Sequence, residues 1–319
     1  MAATTSVESM RAAQRGGASG RLREYFWSDP KRRLQTVLGL IWLLDGGLQF
    51  QAFMFTHGFP QSLVANAAGQ PQWLHDSIIW GARIANGNLG VWNTLFALTQ
   101  VLIGLGLLYR PLVRVALVAN FGWVLVVWWF GEGFAMLLMN MAQPLTGAPG
   151  VLMYALVGLL AWPGEKPGGL LSAHGAKVMW ASLWLVMAWL WLTAPSSDPN
   201  AVHDALTSVD GGIGWLTSVQ THLASAARGN GLVIAVILAF ASAAIGIGVA
   251  AGWQARRLLS LSIAVNAVYW VVGQAFGGIF AGGATDPNVA PLFILLAAGM
   301  FPLLPHVGAQ EARPALDGR

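Results

Sequence analysis

The sequence predicts an all-α protein that crosses a membrane eight times, as two tandem four-helix bundles. Three observations carry this prediction: the composition, the spacing of the apolar segments, and a repeat of the first half in the second. Of the 319 residues, 56% are hydrophobic and 9% are charged, whereas soluble domains carry about 25% charged residues. The absence of cysteine from the sequence excludes disulfides, dithiol redox chemistry and cysteine-held iron–sulfur clusters.

Eight apolar segments are spaced along the chain. Each holds roughly the ~20 residues that a helix needs to cross about 30 Å of hydrocarbon. Helices are predicted for all of them, because lipid offers no hydrogen-bond partner to an open backbone. In order, the segments span 34–54, 89–108, 115–131, 148–163, 178–194, 231–251, 258–273 and 290–305.

The basic residues predict the orientation of these segments. Of the 17 Lys and Arg residues, all but Arg83 and Arg228 fall in the two tails or in alternate connections. By the positive-inside rule, both termini are cytoplasmic. Membrane orientation also accounts for the basic isoelectric point near 9.9, so we expect the lipid bilayer and not nucleic acid as the partner. The excess of Arg over Lys suits a GC-rich bacterial genome, which suggests the bacterial plasma membrane.

A shift of the sequence by 142 residues brings rarer residue types into register. Trp128 meets Trp270, Arg114 meets Arg256, and Pro149 meets Pro291. This offset predicts a duplication. Four spans per copy give both copies the same polarity in the membrane, as in parallel repeats. The glycines at 104 and 246 also match, and we expect them to allow close helix contact.

These boundaries divide the chain into five parts. Residues 1–29 form a tail predicted to be disordered and cytoplasmic, because it is rich in Ala, Ser, Gly and Arg. The first bundle covers 30–163 and the second covers 175–306. A cytoplasmic linker, 164–174, joins the bundles, and a second cytoplasmic tail covers 307–319.

Three stretches of the first bundle point to a known family. They are RLQTVLGLIWLLDGGLQF from residue 33, GF at 58–59, and ALTQVLIGLGLLYRPLVRVAL from residue 97. In these stretches the first bundle resembles the DoxX/DoxD-type membrane proteins. The resemblance implies a four-helix membrane fold and a role in a membrane redox or oxidative-stress system. It also implies quinone as a possible cofactor and a redox subunit as a possible partner.

Polar residues in the first bundle predict a binding pocket. An ionisable group within a span costs about 2.5–3.5 kcal/mol, so Asp45 is a functional candidate by default. Gln49 shares its helix face, one turn further on, and Glu132 ends the third segment. The second bundle has Met187 and Gln274 at the positions of the two acids. The predicted pocket, in the outer half of the first bundle, comprises Asp45, Gln49, Asn93, Gln100, Asn120, Trp128, Trp129 and Glu132.

Several functions remain open at this point. The first is a DoxX-like subunit whose pocket takes protons from a quinol head group. The second is a transporter or binding protein for a small solute, such as a cation, or for a metal ion. For a metal, Cu(I) suits imidazole and thioether ligands, and the candidate ligands are His57, Met136, Met139 and Met141. The third is a structural partner of another membrane protein, in which Asp45 bonds between helices and Glu132 lies in the headgroup layer. No catalytic residue is predicted.

Overall fold

The computed structural model describes residues 20–193 and 198–304. Within these ranges the regular structure is helical, with one isolated β-bridge between Gly168 and Leu171. Residues 1–19 of the predicted disordered tail and the predicted tail 307–319 lie outside the described residues. Residues 20–27, in contrast, form a helix, α1, where the sequence predicted disorder.

Helix α1 is ordered because two arginines hold its end. The Arg32 Nε and Arg110 Nη2 atoms donate to the carbonyl oxygen of Tyr25 at 3.0 and 2.7 Å. The Arg110 guanidinium also lies 4.8 Å from the centre of the Tyr25 ring, a cation–π distance. Arg32 donates in addition to the carbonyl of Leu107, one of the backbone acceptors that the end of a helix leaves free.

The described part of the first half contains six further α-helices. They are α2 Pro30–Leu48, α3 Gly58–Ala67, α4 Gln72–Gly87, α5 Leu89–Leu108, α6 Val113–Val126 and α7 Leu152–Ala161. Helix α2 begins sharply because Pro30 fixes the first turn and the Asp29 carboxylate accepts from the Arg32 amide. It ends at Leu48, short of the predicted boundary at residue 54, because the chain turns into a 3₁₀ helix at Ala52–Phe55.

The second half repeats this order of elements. Its helices are α8 Ala173–Trp191, α9 Ala201–Thr207, α10 Gly214–Ala227, α11 Gly231–Ala251, α12 Ala255–Val268 and α13 Ala290–Met300. Helices α6 and α12 both continue into a π-helical turn, at Val127–Gly131 and Tyr269–Gly273. A 3₁₀ segment then follows each turn, at Phe134–Met139 and Ala275–Ala281.

Among the described residues, four helical stretches are long and apolar enough to cross a membrane. They are Leu89–Leu108, Arg110–Gly131, Gly231–Ala251 and Ala255–Ala281, which correspond to the second, third, sixth and seventh predicted segments. Helix α7 and the stretch Ala290–Leu303 are apolar but shorter. The predicted fourth segment, 148–163, begins with an irregular turn, and its α-helix starts at Leu152.

Close glycine contacts join the long helices in pairs. A Cβ atom on Gly104 of α5 would lie 2.8 Å from the carbonyl oxygen of Gly39 on α2. A Cβ atom on Gly246 of α11 would lie 2.8 Å from the Trp184 Cβ on α8. The predicted role of Gly104 and Gly246 in close helix contact is therefore confirmed. Helices α7 and α13 pack against each other, and the buried core around them runs through both halves.

Candidate functional site

A cavity of about 650 Å³ lies in the first half of the molecule. Helices α2 to α7 contribute to its wall, and a loop of the second half, 285–289, completes it. Four of the eight predicted pocket residues line it: Asp45, Gln49, Gln100 and Glu132. Among the described residues, none of the side chains that line the cavity is Lys, Arg or His.

Asp45 is the most deeply buried acid of the cavity, with 2% of its surface exposed. The hydroxyl of Tyr154, on α7, donates to its Oδ2 atom at 2.6 Å. Its Oδ1 atom is buried and has no hydrogen-bond partner among the described residues. A buried polar atom without a partner is costly and calls for an explanation. An unpaired carboxylate oxygen at a cavity wall is suited to accept a hydrogen bond from a ligand or from water.

Side-chain amides add further acceptors to the same cavity. Gln49, at the end of α2, and Gln100, on α5, are each 5% exposed. Their Oε1 atoms, and that of Gln143, are buried without a hydrogen-bond partner among the described residues. Gln49 follows Asp45 by one helical turn, and α2 packs along α5. The sequence therefore places these oxygens on helices that are already in contact.

Aromatic side chains form the rest of the wall. On α5, Phe96 lies with its ring centre 5.6 Å from that of Trp123 on α6 and 6.2 Å from that of Trp92. Trp80, on α4, is 61% exposed and also lines the cavity, so the aromatic wall reaches the surface of the molecule. The indole Nε1 of Trp123 is buried without a partner in the described part of the chain, which adds one free donor.

The hydrogen bonds of Glu132 explain why an acidic residue ends the third apolar segment. Both of its oxygens accept from the amide of Val151 at 3.0 Å, just before α7. The preceding turn supplies Trp128, whose Nε1 donates to the carbonyl of Pro149 at 3.1 Å. Together they fix the entry of α7. Glu132 also lines the cavity. The alternative in which Glu132 lies in the headgroup layer did not predict this position.

The second half uses the same arrangement without a charge. The Gln274 Oε1 atom accepts from the amide of Ala290 at 3.1 Å. Trp270 Nε1 donates to the carbonyl of Pro287 at 2.8 Å. The sequences WWFGE and YWVVGQ therefore perform the same structural task at the start of α7 and of α13.

The ionisation of Glu132 is shifted by its surroundings. Glu132 follows the candidate membrane span Arg110–Gly131. Burial raises the pKa of Glu132 to about 8, and the nearby charge of Asp286 raises this pKa further, whereas the hydrogen bond from Val151 lowers it. The neutral form of this carboxyl is therefore favoured at neutral pH.

The loop 285–289 brings Asp286 and Asn288 to the cavity, and sequence reasoning missed both as site residues. Asp286 accepts from the Asn288 amide at 2.7 Å and from the Thr285 hydroxyl at 2.6 Å. Asn288 Nδ2 donates to the carbonyl of Thr146 at 3.2 Å, which anchors the loop on the first half. The sequence TDPN signals a turn, but only the docking of the halves shows that the turn faces the cavity. Three acidic residues, Asp45, Glu132 and Asp286, thus line one cavity.

The other four predicted pocket residues lie behind the wall. Asn93 donates to the backbone carbonyl of Gln49 at 2.7 Å. Asn120 accepts from Trp42 Nε1 at 2.8 Å and donates to the carbonyl of Tyr154. Trp128 bonds to Pro149 as described, and Trp129 donates to the Ser77 hydroxyl at 2.8 Å. These residues support the site and do not line it.

The residues predicted for Cu(I) do not line one common pocket. His57 lines a second, smaller pocket, and its Nδ1 lies 2.7 Å from Asn86 Oδ1. Met136 and Met141 line the large cavity, whereas the methyl group of Met139 lies against Gly69. Within 20–193 and 198–304, no group of three or more His, Cys, Asp or Glu side chains is placed to hold a metal ion.

Comparison with known proteins adds no relative. No family model, curated protein or solved structure matches this chain.

Proposed function

We propose that the cavity binds a small organic cation with an apolar body, and that the protein is a membrane binding protein or transporter for it. The observation that carries this proposal is the chemistry of the wall. Three acidic residues line a space with aromatic sides and, among the described residues, without a basic side chain, and several lining residues carry a buried acceptor oxygen that has no hydrogen-bond partner in the described part of the chain.

A cation suits each part of this wall. A charged group loses favourable solvation free energy when it leaves water. A buried partner of opposite charge offsets this loss only if the two groups also form good hydrogen bonds. Asp45 Oδ1 offers such a bond, because Tyr154 already holds the other oxygen in place. The faces of Trp side chains attract cations as well, more strongly where water is excluded. An anion would face three acidic residues, with no basic side chain among the described residues that line the cavity.

Calorimetry with 2-phenylethylammonium as the probe tests the proposal on the purified protein in nanodiscs. We expect Asp45→Asn to weaken binding at least tenfold. Asp204→Asn is the matched control, because this carboxylate lies in the second half and is largely exposed. Equal binding by the parent and Asp45→Asn would contradict the proposal.

A second candidate is the quinone-linked redox subunit that the DoxX resemblance implies. It is supported by the free donor at Trp123 Nε1 and the free acceptor at Asp45, which belong to residues that line the same cavity and suit a quinol or quinone head group. The aromatic wall that reaches the surface suits a lipid-soluble ligand. This candidate predicts binding of a neutral short-chain ubiquinol and no preference for cations, and it needs a redox partner subunit. A structural partner role predicts that neither probe binds.

The proposed architecture is eight spans in two tandem bundles that arose by duplication, with both termini cytoplasmic in a bacterial plasma membrane. The π-helical turns lie 142 residues apart, which supports the duplication.

The natural absence of cysteine makes the orientation simple to test. A membrane-impermeant maleimide should label Thr207→Cys in intact cells. It should label Gly164→Cys only after the membrane is opened. The reverse pattern would invert the proposed orientation.

A further inference from the structure

We infer that the ligand of the large cavity is a protonated amine that donates N–H hydrogen bonds, and not a quaternary ammonium or a bare metal cation. This inference rests on the proposed binding of an organic cation and narrows it to one chemical class.

The chemistry and burial of the free acceptors carry the first step. Asp45 Oδ1, Gln49 Oε1, Gln100 Oε1 and Gln143 Oε1 are buried, unpaired in the described part of the chain, and belong to residues that line the cavity. A primary ammonium has three N–H donors and no acceptor. Its donors match these oxygens in type. A quaternary ammonium donates no hydrogen bond and would leave these oxygens unpaired in a site from which it displaces water.

The order of residues along α5 carries the second step. Trp92, Phe96 and Gln100 recur every four residues, lie on one face of the helix and all line the cavity. The eight positions from Trp92 to Gln100 cover about 12 Å of helix. This stripe changes from aromatic to amide along its length. A ligand that lies along it therefore has a polar end near Gln100 and an apolar body beside the rings.

The fixed position of Asp45 carries the third step. Its Oδ2 atom accepts from the Tyr154 hydroxyl, and Tyr154 packs with its ring centre 4.3 Å from that of Trp42. Trp42 is itself held by a hydrogen bond to Asn120. The contacts from Asn120 through Trp42 to Tyr154 thus hold the Asp45 carboxyl group in one orientation. This orientation also fixes the position of its unpaired Oδ1 atom. A directed acceptor discriminates between N–H donors and methyl groups.

Three probes with one body test the inference: 2-phenylethylammonium, its N,N,N-trimethyl analogue and neutral 2-phenylethanol. Binding to the full chain in nanodiscs is measured by calorimetry at one pH. We expect the primary amine to bind at least tenfold more tightly than the trimethyl analogue, and the alcohol to bind most weakly.

Variants at position 100 connect this preference to the acceptor. Gln100→Leu should reduce the ratio between the primary amine and the trimethyl analogue, whereas Gln100→Glu, which keeps an acceptor oxygen, should preserve it. Ser242→Ala changes the residue 142 positions later and should leave the ratio unchanged. If the Leu variant fails to fold, the comparison of the three probes on the parent protein still tests the inference.

The two levels of the claim fail in different ways. If the trimethyl analogue binds as tightly as the primary amine, or more tightly, the inference is overturned and the proposed cation site stands. If the neutral alcohol binds as tightly as both cations, the proposed function is overturned with it. If none of the three probes binds and a neutral short-chain ubiquinol does bind, both the inference and the proposed function are overturned. That result favours the quinone candidate.

Discussion

The two halves of the molecule share a framework and differ in what fills it. Where the first half has Gln49 at the cavity wall, the second half has Trp191, 142 positions later, with no exposed surface. Trp191 packs in a buried apolar cluster with Val202, Leu206 and Leu145. The first half therefore keeps an open, polar cavity at a place that the second half closes with a large side chain. The helical framework that the two halves share does not require an open cavity. This difference favours ligand binding as the reason for the cavity in the first half.

The helix caps lead to the same conclusion. Gln274 caps the entry of α13 without a charge, whereas Glu132 caps the entry of α7 with a carboxyl group. Because the amide performs the structural task, the charge at position 132 serves another purpose or none. The loops also differ: the first half contributes Leu145 to the core of the second, and the second contributes Asp286 to the cavity of the first.

The largest effect is expected from closing the cavity in the way that the second half is closed. Gln49→Trp should abolish binding of 2-phenylethylammonium, with at least a hundredfold loss, because the indole occupies the ligand space. Calorimetry measures the loss, and thermal unfolding checks that the fold persists. Gln72→Trp, at the exposed start of α4, is the control. Normal binding by Gln49→Trp would show that the ligand lies elsewhere.

A substitution in the second half tests how much the buried indole of Trp191 contributes to stability. Trp191→Ala removes a fully buried indole and should lower the free energy of unfolding by about 3–5 kcal/mol. Trp189→Ala, on the same helix but half exposed, should cost about 0.5 kcal/mol. Denaturant unfolding in mild detergent gives both values. Equal losses would mean that the second half is not tightly packed around Trp191.

The pH dependence of binding tests the charge at Glu132. Burial raises its pKa to about 8, so the group is neutral below this pH and becomes a partner for a cation only above it. Asp45, Asp286 and Tyr154 are the other titratable groups that face it. Affinity for the amine should rise between pH 6 and pH 8, by up to about tenfold per pH unit, and then level off.

The control for this pH effect is Glu132→Gln, which should flatten the profile between pH 6 and pH 8. An unchanged profile in that variant would assign the titration to another group of the cavity. A parent protein whose affinity falls as the pH rises would contradict the role of Glu132 as a charge partner.

The smallest effect concerns the cap itself. Glu132→Gln should leave the free energy of unfolding nearly unchanged, because an amide oxygen accepts from Val151 as Gln274 accepts from Ala290. Glu132→Ala should cost about 1 kcal/mol, the usual loss for a missing helix cap. Thermal unfolding of both variants gives the comparison. A Gln variant as unstable as the Ala variant would make the charge part of the structural role.

Much of the architecture follows from sequence patterns, and some of the site does not. The composition predicts apolar helices, and α-helical spacing places Asp45 and Gln49 on one face. It is harder to predict which side-chain amides line the cavity. Gln49 and Gln100 line it, whereas Asn93 and Asn120 also carry amides but donate to backbone carbonyls of neighbouring segments. Asp286 enters the site through a contact between halves that are distant in sequence. No local pattern encodes such a contact.

The exchange of loops between the halves has a consequence for fragments of the protein. A chain cut in the connection 162–172 would keep α2 to α7 in its first piece, but the cavity in that piece would lack Asp286 and Asn288. The second piece would in turn lack Leu145 from its core. The site thus belongs to the assembled pair in the way that a shared site belongs to two subunits. Ligand binding becomes a readout of whether the halves have docked.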